Sequence, residues 1–509
     1  MKIREVIEKH KFLVCVILLS LFVLISGVSL LYRIVAAKAL VWYLLVLMIL
    51  GVISIPVFAF IVRKKKLSVQ MITVLILAVL GVLYTFVFTP NSVPDEPLHY
   101  TTAYHVSNQL LFKFDDEQKN MVMRAEDDAY VKSASMNLNK EQYEKVRRDN
   151  YLICKDNTEI RADQGYIKNK FLAYFASAVG ITIGRIANLS AFWTYQLGRM
   201  FNFLSFLIFV YFAIKLMPFN KIAIAAIAML PMNLHIMASV SYDVFSVGGV
   251  LLLFAYIMHL WYGLNKIGFK ELGILAIMIA LIIPQKAVYI GVAALVLLLP
   301  KDKFKNPKLH FLFKCLLGVI AVASILIIQM HNSAKLVTDN VTHNETVAGF
   351  SIQYVISHPN EIAKMFFYTI CHETDFYIKS IVAYFGWFQV ESPWFLTVPV
   401  IVVLLLSFMK KEGEPQNMPL LSKLYSLALF LAIFILVEML LLIDHNHIGC
   451  VYIGGVQGRY FIPALPLVFL ALRNNIVTLS KQADDVVLVL MPALNVLILI
   501  YCISSIIVV

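Results

Sequence analysis

The sequence predicts an all-α polytopic membrane protein with about 13 transmembrane helices and two large loops on one face. Three observations carry that reading. Of 509 residues, 60% are hydrophobic and mean hydropathy is +0.80, whereas a soluble domain is nearer half apolar. Runs of about 20 apolar residues recur from end to end, long enough to span a bilayer as helices. Lys and Arg gather in the short loops between those runs. The formal charge of +12 therefore reports topology, not a nucleic-acid groove.

The first run, 12–32, has the basic start of a signal peptide. It is too long for a typical signal core and no small-residue cleavage site follows, so it is expected to stay as the first helix. Further spans are expected at 40–62, 69–88, 193–216, 222–238, 243–263, 272–284, 287–299, 311–329, 394–409, 424–443, 461–472 and 486–507. With that count, the basic loops at 1–11, 63–66, 215–221, 265–270, 301–308, 410–423 and 473–481 all fall on one side. That side is expected to be cytoplasmic, with the N-terminus inside a plasma membrane and the C-terminus outside. The apolar segment 171–186 would break this alternation as a span, so it is expected to lie in the outer interface.

Three parts follow. Residues 1–68 form a two-helix extension, 69–475 the membrane core, and 476–509 a last transmembrane helix. The outer loops are 89–168, mixed in charge and helical in part, and 330–393, which ends in an aromatic stretch at 376–394. No GxGxxG, P-loop or paired CxxC pattern occurs, so a cytoplasmic nucleotide site is not expected. The six cysteines are scattered. Cys154 with Cys371 or Cys450 is the disulfide the outer loops would allow. Sequons at Asn340 and Asn344 also fall outside.

The most informative polar run is Pro94-Asp95-Glu96-Pro97-Leu98-His99-Tyr100, directly after the third span. Two carboxylates and a histidine at a membrane surface are costly without a use. Asp95 as a helix N-cap, worth ~1 kcal/mol, explains one carboxylate. It leaves Glu96, the two prolines and His99 unexplained. In the functional reading one carboxylate takes a proton from an acceptor hydroxyl and the other orients the acceptor or holds a cation. Glu96 and His99 share a helix face, which is a weak signal for a divalent metal. No cofactor is otherwise called for.

A second run, Gly454-Gly455-Val456-Gln457-Gly458-Arg459-Tyr460, enters a late span from the outer side. Glycines allow tight turns, and the planar fork of Arg459 suits a phosphate. The alternative is an interfacial Arg snorkelling to headgroups beside a belt tyrosine. Gln457 and Tyr460 flank the arginine as further binding candidates. Arg199, Asp243, Lys286, Tyr289 and Glu438 are polar groups within or at the ends of spans. Most of them map to the outer half, on the same side as Asp95, where such groups often mark a site.

These motifs resemble a bacterial family called domain of unknown function 2142. The matching residues are Asp95, Glu96, Pro97 and His99; Ser239, Ser241, Tyr242 and Asp243; Gly386, Trp387 and Phe388; and Gly458, Arg459 and Tyr460. The likeness covers roughly 74–471. That family is similar to the C-type (GT-C) membrane glycosyltransferases, whose first outer loop carries an acidic pair, one member being the base. The resemblance implies a GT-C-like core. It also implies a transferase that draws a sugar from a polyprenyl-phosphate donor on the outer face, with a glycan or lipid-linked acceptor. Asp95 and Glu96 match the acidic pair. The family's cation-binding histidines and basic clamps have no clear equivalent here, so Arg459 as phosphate clamp rests on the site itself. A transporter or flippase of a lipid-linked glycan, or an outer-face glycan polymerase or ligase, are the competing readings. Full-depth polar pathways and paired halves, expected of a transporter, are not evident.

Overall fold

The computed structural model describes residues 11–36, 42–64, 66–113, 120–133, 135–168, 170–339, 349–414 and 418–508. The basic start of the chain through residue 10, the acidic run Asp115-Asp116-Glu117 and the sequons at Asn340 and Asn344 lie outside these residues. Among the described residues, helices dominate and β-structure is confined to three two-stranded pairs and three isolated bridges.

Seven helices are long and apolar enough to cross a membrane: Val16–Arg33, Tyr43–Lys64, Val69–Val87, Ala191–Leu216, Phe245–Gly263, Leu420–His445 and Gln482–Ile506. The expected span at 311–329 lies within one long helix, His310–Asp339, and the other expected spans are helical but shorter or broken, so seven spans stand on length and composition among the described residues. Proline is the main cause. The expected span at 222–238 divides into Lys221–Ala228 and Pro231–Met237, because Pro231 forces Leu230 out of the helical region (ψ 133°). The expected span at 287–299 is a chain of short turns from Ala287 to Leu298. Pro463 sits in a 3₁₀ turn, Gly458–Ala464, which precedes the short helix Leu465–Leu472. Broken helices of this kind are tolerated in membranes where protein covers the freed backbone.

The 89–168 loop folds onto the ends of these helices. It contains the helices Glu96–Leu110, Ala125–Ser133 and Lys140–Asp149. It also contains an antiparallel pair, Met121–Arg124 with Glu159–Ala162, which the sequence reading did not anticipate. The second loop contributes the helix Pro359–Val382 and a tight hairpin pairing Tyr384 with Glu391. The hairpin turns through Gly386 (φ 63°) and Phe388 (φ 56°). Cys154, Cys371 and Cys450 are free thiols, so the disulfide the loops would allow is not formed.

The Phe171–Ile186 helix leaves Phe171, Phe175, Ile183 and Ile186 exposed on one stripe. Its other face packs on the Ala191–Leu216 helix through Gly180 and Gly184, spaced four apart. A Cβ at Gly180 would collide with the Leu197 carbonyl, and one at Gly184 would press on Thr194. Small residues at this spacing let two helix backbones approach closely. Gly180→Ala is therefore expected to cost ~1–3 kcal/mol by overpacking. Gly273→Ala, with nothing within 4 Å of the new methyl, should be neutral or mildly stabilising. Thermal unfolding of the two purified variants in detergent checks the contrast.

Candidate functional site

Where the Val69–Val87 helix hands over to the first large loop, the chain turns sharply through Asn91 (φ 69°) and Asp95 (φ 63°). Asp95 stands at the N-cap position of the Glu96–Leu110 helix, but its side chain makes no capping hydrogen bond. The capping explanation of this carboxylate therefore fails. A non-glycine residue in the left-handed region costs on the order of 1–2 kcal/mol and persists only where its surroundings enforce it. The carboxylate is exposed and, among the described residues, makes no hydrogen bond or ion pair.

Glu96 supplies the enforcement. It is fully buried and meets Arg199, also buried, in a bidentate pair: Nε donates to Oε1 at 2.7 Å and Nη2 to Oε2 at 2.6 Å. The backbone N–H groups of Asn91 and Val240 each donate to a Glu96 oxygen at 3.0 Å. The remaining Arg199 donors close the carbonyls of Thr85, Phe88 and Thr89 at 2.6–3.1 Å. Tyr195 donates to Asn91 Oδ1 at 2.6 Å, tightening the same turn. Every lone pair of Glu96 aimed at a protein partner is thus engaged, and Glu96 does not line the cavity described next. The expectation that Glu96 acts on substrate or holds a metal with His99 gives way to a positioning role. Arg199, expected among the binding residues, belongs to the same lock.

On the other side of this turn lies a cavity of about 220 Å³, lined by Asp95, His99, Tyr242, Asp243, Arg459 and Tyr460 among others. A smaller recess shares Asp243, Arg459 and Tyr460 and adds Lys286 and Tyr289. Seven residues singled out in the sequence thus converge from four distant segments. Gln457 is not among the lining residues, and its Oε1 is buried without a partner.

Arg459 is only 8% exposed, and its Nε is buried without a hydrogen-bond partner. Its Cζ stands 5.5 Å from the Tyr460 ring. The backbone is held by Gly458, whose N–H donates to Ser380 Oγ at 2.8 Å. A Cβ at Gly458 would collide with the Tyr377 carbonyl, so only glycine lets the arginine sit this deep. Tyr377 is itself fixed by a 2.8 Å hydrogen bond to Glu438, which gives that intramembrane carboxyl a structural use. A buried guanidinium without an acid is expensive, and an anion is what would complete it.

Lys286 Nζ lies 3.6 Å from Asp243 Oδ1 and 4.2 Å from the centre of the Tyr460 ring. Tyr289 donates to the Tyr460 carbonyl at 2.8 Å, fixing that ring's backbone. Burial would raise the Asp243 carboxyl, but Lys286 and Arg459 outweigh it and hold it below its ordinary value. Asp243 is therefore a paired carboxylate, whereas Asp95 has no hydrogen-bond or ion-pair partner among the described residues. His99 shares a 2.6 Å hydrogen bond with Tyr174, and burial pushes its imidazole down to about 4.

Tyr174 and Lys170 escaped the sequence reading. Lys170 donates to the Gln285 carbonyl at 3.0 Å and stands 5.6 Å from the Tyr242 ring. A tyrosine within an apolar helix and a lysine at its start carry no distinguishing pattern. Among the described residues, no group of three or more His, Cys, Asp or Glu is placed to hold a metal ion.

The lock makes a sharp prediction. Glu96→Gln or Arg199→Met strands a buried charge and should each cost about 3–5 kcal/mol. The Glu96→Met, Arg199→Met double variant should recover part of that loss. Thermal melts of the three purified proteins read the coupling.

A family model described as "Predicted membrane protein (DUF2142)" matches residues 77–468. No curated protein and no solved structure matches the chain. The match spans most of the chain, which belongs to that family of predicted membrane proteins.

Proposed function

We propose that this member of the family is a membrane glycosyltransferase. It takes a sugar from a polyprenyl-phosphate donor on the outer face and adds it to a cell-envelope glycan or lipid-linked acceptor. One observation carries the reading: a carboxylate and a buried guanidinium, neither hydrogen-bonded nor ion-paired among the described residues, line the same cavity.

The chemistry needs those two groups. Asp95 accepts the proton of the acceptor hydroxyl as its oxygen bonds to the anomeric carbon. The bond from that carbon to the phosphate oxygen breaks, and the electron pair leaves with the polyprenyl phosphate. Negative charge therefore grows on the phosphate as it disappears from Asp95. Arg459, with Lys286 beside it, stands where fixed positive charge would stabilise that leaving group. Asp243, which lines both the cavity and the adjoining recess, pairs with the Lys286 ammonium on the recess side. The prenyl chain would stay in the bilayer, which spares the protein a nucleotide site.

Size supports transfer of single sugars. At about 220 Å³ the cavity is below the ~300–1,000 Å³ of pockets for drug-sized ligands. One sugar with its phosphate suits it better than a preassembled glycan.

Deletion of the gene in its own host, followed by envelope sugar analysis, tests the reading. One sugar or linkage should disappear and return with wild type. Asp95→Asn at matched membrane levels should restore less than about a hundredth of it, the loss expected of a general base. Full restoration by Asp95→Asn would remove Asp95 from the chemistry and the transferase reading with it.

A further inference from the structure

We infer that the acceptor is itself a saccharide, and that His99 recognises it through a hydroxyl on the carbon next to the one that reacts. This rests on the transferase reading and names its acceptor class.

Tyr174 is fully buried, and its hydroxyl lies 2.6 Å from His99 Nδ1. Among the described residues, that hydroxyl has no other hydrogen-bond partner. A buried phenol must donate somewhere, so its proton goes to Nδ1. A neutral imidazole with Nδ1 accepting carries its hydrogen on Nε2. The low basicity of His99, near 4, keeps it neutral at any ordinary working pH. The Tyr242 ring, 5.3 Å away and edge-on, fixes the plane. The result is a rigid, uncharged N–H donor on a side chain that lines the cavity, with no acceptor for Nε2 among the described residues.

Asp95 and His99 are four residues apart at the start of one helix, and the His99 N–H closes the first turn on the Asp95 carbonyl at 3.1 Å. Both side chains line the same cavity, close enough for the Asp95 carboxylate to act electrostatically on the His99 ring. A carboxylate acting as a base only accepts, and the Nε2–H only donates. Together they match a donor and an acceptor on neighbouring atoms, as two vicinal hydroxyls present them. The nearer hydroxyl gives its proton to Asp95. The next one accepts from His99. A Ser or Thr hydroxyl of a protein acceptor has no such neighbour and would leave the Nε2–H unpaired. The cations do not compete for this role, since Lys286 lines the adjoining recess and Arg459 is shared by both cavities.

The test is linkage analysis of the envelope from the deletion strain, complemented at matched membrane levels with wild type, D95N, H99L, H99Q and Y174F. The lost linkage should join sugar to sugar. H99L keeps bulk and removes the donor, and should lower the linkage at least ~10-fold. H99Q, which returns an amide N–H, should stay within about 3-fold of wild type, and Y174F should fall between. Because H99L also strands the buried Tyr174 hydroxyl, it is compared with the H99L/Y174F double variant, which removes that cost and should leave the linkage at least ~10-fold low. A lost linkage from sugar to protein, or full restoration by H99L while D95N restores nothing, overturns the inference and leaves the transferase reading standing. Full restoration by D95N overturns both.

Discussion

The buried pair of Glu96 and Arg199 is the contact on which the site depends. One carboxylate and one guanidinium, both out of water, are satisfied by each other, by two backbone N–H groups and by three carbonyls. Such a pair is a weak source of net stability and a strong source of geometry. It ties the end of the Val69–Val87 helix, the start of the Glu96–Leu110 helix, the Ala191–Leu216 helix and the backbone at Val240 to one point. Removing any of these elements strands a charge, so they are held together or not at all.

That constraint explains how two adjacent acids come to do different things. Glu96 is turned inward and neutralised. Asp95 is turned outward in a backbone conformation it would not choose alone. Strain at Asp95 is maintained by the lock at Glu96, a common arrangement where a functional group must be presented rather than packed. The same logic recurs at Gly458. There a close backbone contact with the Pro359–Val382 helix sinks Arg459 below the surface, where it makes no ion pair among the described residues. Asp95 and Arg459, neither hydrogen-bonded nor ion-paired among those residues, meet in the cavity.

Much of this was legible in the sequence, for identifiable reasons. Hydropathy located the long helices because spanning a bilayer constrains composition over about 20 residues. Asp95, His99, Asp243, Lys286, Tyr289, Arg459 and Tyr460 stood out because polar groups among apolar runs are costly. What stayed hidden was partnership. Nothing in sequence shows that Glu96 is spoken for by Arg199, 103 residues away, or that Tyr174 sets the proton on His99. The breaks at Pro231 and Pro463 were visible as residues. Their effect on span count was not, since prolines also sit inside intact helices here at Pro56, Pro399 and Pro492.

The central claim is that the cavity is completed by the phosphate of a prenyl carrier. Native mass spectrometry of the detergent-solubilised protein, titrated with a polyprenyl phosphate and with the matching polyprenol, addresses it directly. The account predicts that the phosphate form binds wild type more tightly than the alcohol. Arg459→Met should erase most of that preference, a loss of about 10-fold or more for a charge-assisted contact, and leave polyprenol binding unchanged. Equal binding of the phosphate and the alcohol to wild type would contradict it.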